Sequence, residues 1–134
     1  MSPMLFIIVM DVLGNLFRHA ESRGLLHSLG AANVRYRLSM YADDVVLFVK
    51  PLDDDLVCTK LILGCFGEAS GLVANMNKSC AIPIYCVAPV VHESSSTLQC
   101  VHAAFPCTYL GLPISNKKPR RSDLIDWVEK IATR

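Results

Sequence analysis

Apolar residues recur at helical spacing from the start of the chain: Leu5, Ile8, Val9, Val12, Leu13, Leu16 and Phe17 lie one above another on a 3.6-residue repeat. Ser2 before Pro3 supplies an N-cap and a first-turn residue, residues 18–23 are polar, and Gly24 stands where a C′ glycine ends a helix. A loop is expected through Gly30. The period then changes. Residues 34–40 and 44–49 are alternating or continuously apolar, the pattern of strands, and Tyr41, Ala42, Asp43 and Asp44 join them as a hairpin with an acidic tip. Lys50 and Pro51 end the second strand. Asp53 or Asp54 then caps a helix carrying Leu56, Leu63 and Phe66, with Val57 and Ile62 beside them, which closes near Ser70 and Gly71.

The downstream pattern is weaker. Short extended segments are expected near residues 72–75 and 80–85, residues 86–97 fit neither period, and a helix is placed at about 95–104. Residues 108–114 read as a strand, and residues 115–121 as a polar basic linker. Ser122 or Asp123 caps a last helix with Leu124, Trp127, Val128 and Ile131 on one side. The order of elements gives an α+β class, without internal repeats or low-complexity tracts.

The chain has 134 residues, one domain at most, and its 13 Lys and Arg against 12 Asp and Glu leave a net charge of +1. Nucleic-acid contacts must therefore come from local clusters rather than from bulk charge. The hydrophobic share is 52% and the charged share only 19%, which excludes disorder, a coiled coil and a basic arm. Such an excess fits a chain buried on several sides, within itself or against neighbours.

The N-terminus lacks a basic leader region and Asp11 interrupts its apolar run at residues 4–10, well short of the roughly 20 residues of a membrane span. The expected location is intracellular, nuclear or cytoplasmic, with neither secretion nor a membrane partner. Cys58, Cys65, Cys80, Cys86, Cys100 and Cys107 form no C-x-x-C, and His19, His27, His92 and His102 show no ligand spacing to one another. The cysteines are expected to be structural thiols that behave as small hydrophobes.

Asp43 and Asp44 are adjacent like charges between apolar strands, and like charges this close disfavour joint ionisation unless water or a cation compensates. Two readings stay open: a solvated turn, where Asp is common, or a site for a hard cation such as Mg2+, which takes carboxylate oxygens and phosphates. The run of Asp53, Asp54 and Asp55 is equally acidic but precedes a helix, where carboxylates favour the N-terminus, and reads as a cap.

The order of motifs goes further. A strand, Tyr41-Ala42-Asp43-Asp44 and a second strand resemble the catalytic hairpin of reverse transcriptases. Ser2-Pro3-Met4-Leu5-Phe6 resembles the end of the family's Gln-Gly-Asp-Pro segment and the helix after it. Gly71-Leu72 with Asn75, Lys78 and Ser79, preceded by Phe66, is similar to a block of the non-LTR (LINE-type) retrotransposon enzymes, plant-like in style. Tyr109-Leu110-Gly111-Leu112-Pro113-Ile114 resembles the strand that follows, and Trp127 the start of the thumb.

This resemblance covers nearly the whole chain. It implies a partial polymerase palm, an antiparallel sheet with an acidic hairpin and helices on one face, at residues 1–114, and a basic linker with the first thumb helix at 115–134. It also implies RNA-directed DNA polymerisation with Mg2+ or Mn2+ held by Asp43 and Asp44, on an RNA template and a DNA primer. Tyr41 and Asn75 would lie beside nucleic acid, and Lys78 would face the triphosphate, although a solvated loop lysine reads equally well. Lys117, Lys118, Arg120 and Arg121 read as a solvated linker, a phosphate contact or a nuclear-import signal.

The family's first metal aspartate, its fingers and most of its thumb have no counterpart here, so the expectation is a palm truncated at both ends. Two divalent ions about 4 Å apart repel by about 17 kcal/mol at an effective dielectric of about 20. Asp43 and Asp44 offset only part of this, and the chain by itself is expected to be inactive. A non-catalytic remnant binding RNA or protein is the alternative, and a genomic remnant without a stable product is the third.

Overall fold

The computed structural model describes residues 2–30, 36–86, 96–118, 120, 124, 125, 128 and 129. Helix α1 (Pro3–Ser22) starts at Ser2 with Pro3 in its first turn, as the pattern predicts, although the Ser2 hydroxyl makes no capping bond. It ends in a Schellman motif: Leu25 N–H donates to Ala20 O at 2.9 Å and Gly24 N–H to Glu21 O at 3.0 Å. Gly24 takes φ 72°, a conformation open to glycine at little cost. Strands β1 (Leu38–Tyr41) and β2 (Asp44–Leu47) form the expected antiparallel hairpin. Helix α2 (Asp53–Ser70) ends at Gly71, φ 73°, whose N–H donates to Gly67 O at 2.9 Å.

The α2 N-cap is Leu52, not Asp53 or Asp54, and no side chain caps it. Asp53, Asp54 and Asp55 instead fill the first turn, where the helix dipole favours carboxylates. The core joins the two helices and the chain between them: Met10, Leu13, Phe17, Ala20, Leu26 and Phe66 are buried together, flanked by Leu38, Leu47, Ile62 and Leu63. Burying a side chain of this size is worth about 1.5–3 kcal/mol. The stripe that α1 buries is thus narrower than its apolar pattern, since Leu5, Ile8, Val12 and Leu16 are exposed. The hairpin lies over α1 at Gly14, where an added Cβ would sit 3.8 Å from Met40 Cε and 3.9 Å from Leu38 Cδ2.

α1 is also a helix of 20 residues with mean hydropathy 1.3, long and apolar enough by length and composition to cross a membrane. The sequence expectation weighed only its uninterrupted apolar run; one face of the helix is packed into the core.

Beyond α2 the described elements are short. Strands β3 (Cys80–Ala81) and β4 (Val101–His102) pair in parallel, and β5 (Cys107–Tyr109) and β6 (Leu112–Ile114) form an antiparallel hairpin. The described strands therefore make three two-stranded sheets rather than one antiparallel sheet. Two further expectations change. The strand placed at 108–114 is folded back on itself, with Leu110 at φ 52° and Gly111 at φ 79°, both central residues of the turn being left-handed as a type I′ hairpin requires. Of the helix placed at about 95–104, the described residues are helical at 96–98 and leave the helix by residue 99, before β4. The chain is a mixed helix and strand protein, consistent with the α+β class. The last helix, with Trp127 and Ile131, lies largely outside the described residues.

Candidate functional site

The acidic tip is a two-residue turn. Tyr41 and Asp44 are the last paired positions of the hairpin, with Ala42 and Asp43 between them. Ala42 takes φ 50°, a left-handed conformation that costs an L residue bearing a Cβ about 1–2 kcal/mol and that hairpin turns ordinarily give to Gly or Asn. Strain of this kind gathers at working sites, although Leu110 in the second hairpin shares it.

Tyr41, Asp43 and Asp44 are all exposed, Tyr41 at 64%. Neither carboxylate takes part in a side-chain hydrogen bond or ion pair, and no third His, Cys, Asp or Glu joins them among the described residues. Two free, hard oxygen donors fit one Mg2+ completed by water and phosphate oxygens. They do not by themselves make a two-cation cage.

The second predicted cluster is a turn built by Asn75. Its Oδ1 accepts from Lys78 N–H at 3.3 Å and its carbonyl from the same N–H at 3.0 Å and from Ser79 Oγ at 2.9 Å. The amide of Asn75 therefore shapes the backbone, a role the sequence reading did not give it, while Lys78 is exposed. No hydrogen bond or ion pair joins this turn to Asp43 or Asp44. In the basic run, Lys117, Lys118 and Arg120 are exposed, and Lys117 N–H donates to Ser115 Oγ at 3.2 Å. Arg121 lies outside the described residues.

A buried set of residues, in which Asp55 takes a part other than the helix cap its sequence run suggests, fixes the hairpin. Asp55 is 0% exposed. Its Oδ1 accepts from His27 N–H at 3.1 Å and lies 2.7 Å from His27 Nδ1, while its Oδ2 stands 4.0 Å from Arg37 Nη1. Arg37, itself buried, donates from Nη1 to Phe48 O at 3.1 Å and from Nη2 to His27 O at 2.5 Å and Glu21 Oε1 at 3.4 Å. One guanidinium thus ties the end of α1, the following loop, the end of the hairpin and the first turn of α2. The planar fork of Arg suits such a junction, and a buried charge needs these partners. The available signal was Asp55 at the third position of its run, where a carboxylate can reach out of the helix instead of capping it.

None of the six cysteines is fully buried; Cys65 and Cys80 are exposed and the others half-buried, all as free thiols. The expectation of structural thiols serving as small hydrophobes thus fits Cys58, which packs against the core, and not the exposed Cys65 and Cys80. Burial pushes the Cys58 thiol up, the Asp55 carboxylate adds to that, and the Arg37 guanidinium opposes it.

Compared with models of protein families, with curated proteins and with solved structures, the chain matches none.

Proposed function

We propose that this chain carries the acidic-turn segment of a reverse transcriptase palm of the non-LTR retrotransposon type. The observation that carries the reading is the Tyr41-Ala42-Asp43-Asp44 turn, left-handed at Ala42, with two unengaged carboxylates at the tip of an antiparallel hairpin. Asp43 and Asp44 hold the divalent cation, and Tyr41 flanks the primer end. Mg2+ or Mn2+, when bound, supplies Lewis-acid activation and neutralises triphosphate charge. Lys78 meets the triphosphate as a point charge, Asn75 holds the turn that presents it, and Lys117, Lys118, Arg120 and Arg121 meet backbone phosphates. The partners are an RNA template and a DNA primer, and the setting is intracellular, nuclear or cytoplasmic. With two carboxylates at the turn, the chain by itself holds cations weakly and does not extend a primer.

The test is a Mn2+ titration of the full chain followed by paramagnetic broadening, with and without a primer–template and a deoxynucleotide. Broadening centred on residues 41–44, tightened by the nucleotide and lost in Asp43→Asn, is the expected result. Absence of broadening there under both conditions overturns the reading. Mg2+-dependent primer extension by the purified chain, abolished by Asp43→Asn, overturns the claim of inactivity while supporting the family.

The exposed apolar residues of α1 favour a second reading, a palm remnant that binds protein or RNA without chemistry. Leu5, Ile7, Ile8 and Val12 are all exposed on one helix, and clustered exposed apolar side chains of this kind mark interfaces. RNA binding that is independent of salt, or that survives removal of the four basic charges, removes the nucleic-acid form of this reading.

A further inference from the structure

The outward face of α1 has two halves of different character. Toward the start of the helix, Met4, Leu5, Ile7, Ile8 and Val12 are exposed, Met4 by 74%, Ile7 by 66% and Ile8 by 60%. Toward its end, Val12, Asn15, Leu16, Arg18, His19 and Ser22 line a shallow hollow. Leu5, Ile8, Val12, Asn15 and His19 alternate spacings of four and three residues and are all exposed, which is the row that one helix turns toward a second in a helix pair. Met10, Leu13, Phe17 and Ala20, which α1 buries in the core, belong to a different row.

Asp11 and Arg18 flank the exposed row on one side. Arg18 Nη2 stands 3.8 Å from Asp11 Oδ1 with both side chains well exposed, a pair worth little within one chain. Asn15 bridges them: its Nδ2 donates to Asp11 Oδ2 at 3.2 Å, and its Oδ1 accepts from Arg18 Nη2 at 2.6 Å. Two copies of α1 laid antiparallel, with the midpoint between Leu13 and Gly14, set Leu5, Ile8 and Val12 of each copy over Ser22, His19 and Asn15 of the other. The apolar half of each helix then fills the hollow of the other, and Asp11 of each copy comes within a turn of Arg18 of the other. The face is therefore complementary to itself under a two-fold rotation, in shape and in charge.

We propose that this face of α1 is the interface of an antiparallel, two-fold symmetric dimer of the chain. The area suffices. The exposed apolar side chains of α1 offer on the order of 600 Å2 per chain, and the polar residues of the hollow bring this close to the roughly 800 Å2 that each partner of a standard interface buries. A lipid surface fits less well. An interfacial helix holds anionic lipid through Lys and Arg beside its apolar face, whereas α1 carries no basic residue before Arg18 and has Asp11 beside its exposed apolar row. The dimer stands on α1 alone and is separate from cation binding at the acidic turn.

The experiment is sedimentation equilibrium of the reduced full chain from micromolar to millimolar concentration. The expected result is a monomer–dimer equilibrium that Ile8→Glu weakens by about tenfold or more, with the helical circular dichroism kept because Ile8 lies outside the core. A wild-type chain that stays monomeric throughout, or a dimer that Ile8→Glu leaves unchanged, overturns the proposal. A second arm tests the orientation. Asp11→Arg and Arg18→Asp each put like charges across the antiparallel seam and weaken the dimer, and an equimolar mixture of the two variants associates several-fold more tightly than either alone. Single variants that dimerise as the wild type does, or a mixture no tighter than its components, overturn the antiparallel arrangement. Pelleting with phosphatidylcholine–phosphatidylserine vesicles by a chain that is monomeric in their absence assigns the face to lipid and overturns the dimer.

Discussion

The molecule has two acidic runs within thirteen residues, and they meet opposite fates. Asp43 and Asp44 sit at the tip of a hairpin, exposed and without side-chain partners, on a backbone that is left-handed at Ala42. Asp55 sits in the first turn of α2, wholly buried, with its carboxylate against His27 and Arg37. A carboxylate that accepts hydrogen bonds beside a buried guanidinium is spent on holding the fold. A carboxylate left free on a strained turn remains available to a ligand. The difference shows that acidity along the chain says nothing of role until the partners are known.

The largest effect that separates the two regions is on stability. Asp55→Ala removes one member of a buried charge pair and is expected to cost about 3–5 kcal/mol, read as a lowered urea midpoint. A double change of Asp55 and Arg37 to apolar residues should recover part of that loss, and full additivity would show that the two side chains do not act together.

A smaller effect of opposite sign is expected at the turn. Ala42→Gly relieves the left-handed backbone and should stabilise the chain by about 1 kcal/mol. A loss of stability would show that the turn is not strained there. Asp43→Asn and Asp44→Asn should leave the urea midpoint in place while removing Mn2+ broadening at residues 41–44. If either lowers the midpoint as Asp55→Ala does, the contrast between the two regions fails.

The smallest effect is electrostatic. Cys58 is raised by burial first and by the Asp55 carboxylate second. In folded Asp55→Asn the second cause is gone, and Cys58 should react with iodoacetamide at lower pH than in the wild type. An unchanged profile would leave burial as the whole cause.

The elements read best from the sequence are those with a strong local signal. The Ser2-Pro3 start and the Gly24 and Gly71 ends of the two helices are where the pattern places them, because Pro fixes its own φ and Gly alone enters the left-handed region at little cost, whatever surrounds them. The hairpin also follows from its own residues, in which β-branched and apolar positions flank a polar turn. The region after α2 was read poorly. A two-residue strand such as β3 carries too few positions to show a period, and the turn at Leu110 and Gly111 was hidden inside an apolar run.

By itself the sequence determined two helices, the acidic hairpin and the placing of Asp43 and Asp44 at its tip, since each depends on neighbours within a few residues. Only the tertiary structure decided which part of the α1 stripe is buried, and that Arg37 gathers Glu21, His27, Phe48 and Asp55. Those pairings join residues 10 to 28 positions apart in the chain, and no periodic pattern records which distant groups will meet. They are selected by the need of each buried charge and backbone group for a partner once water has been excluded.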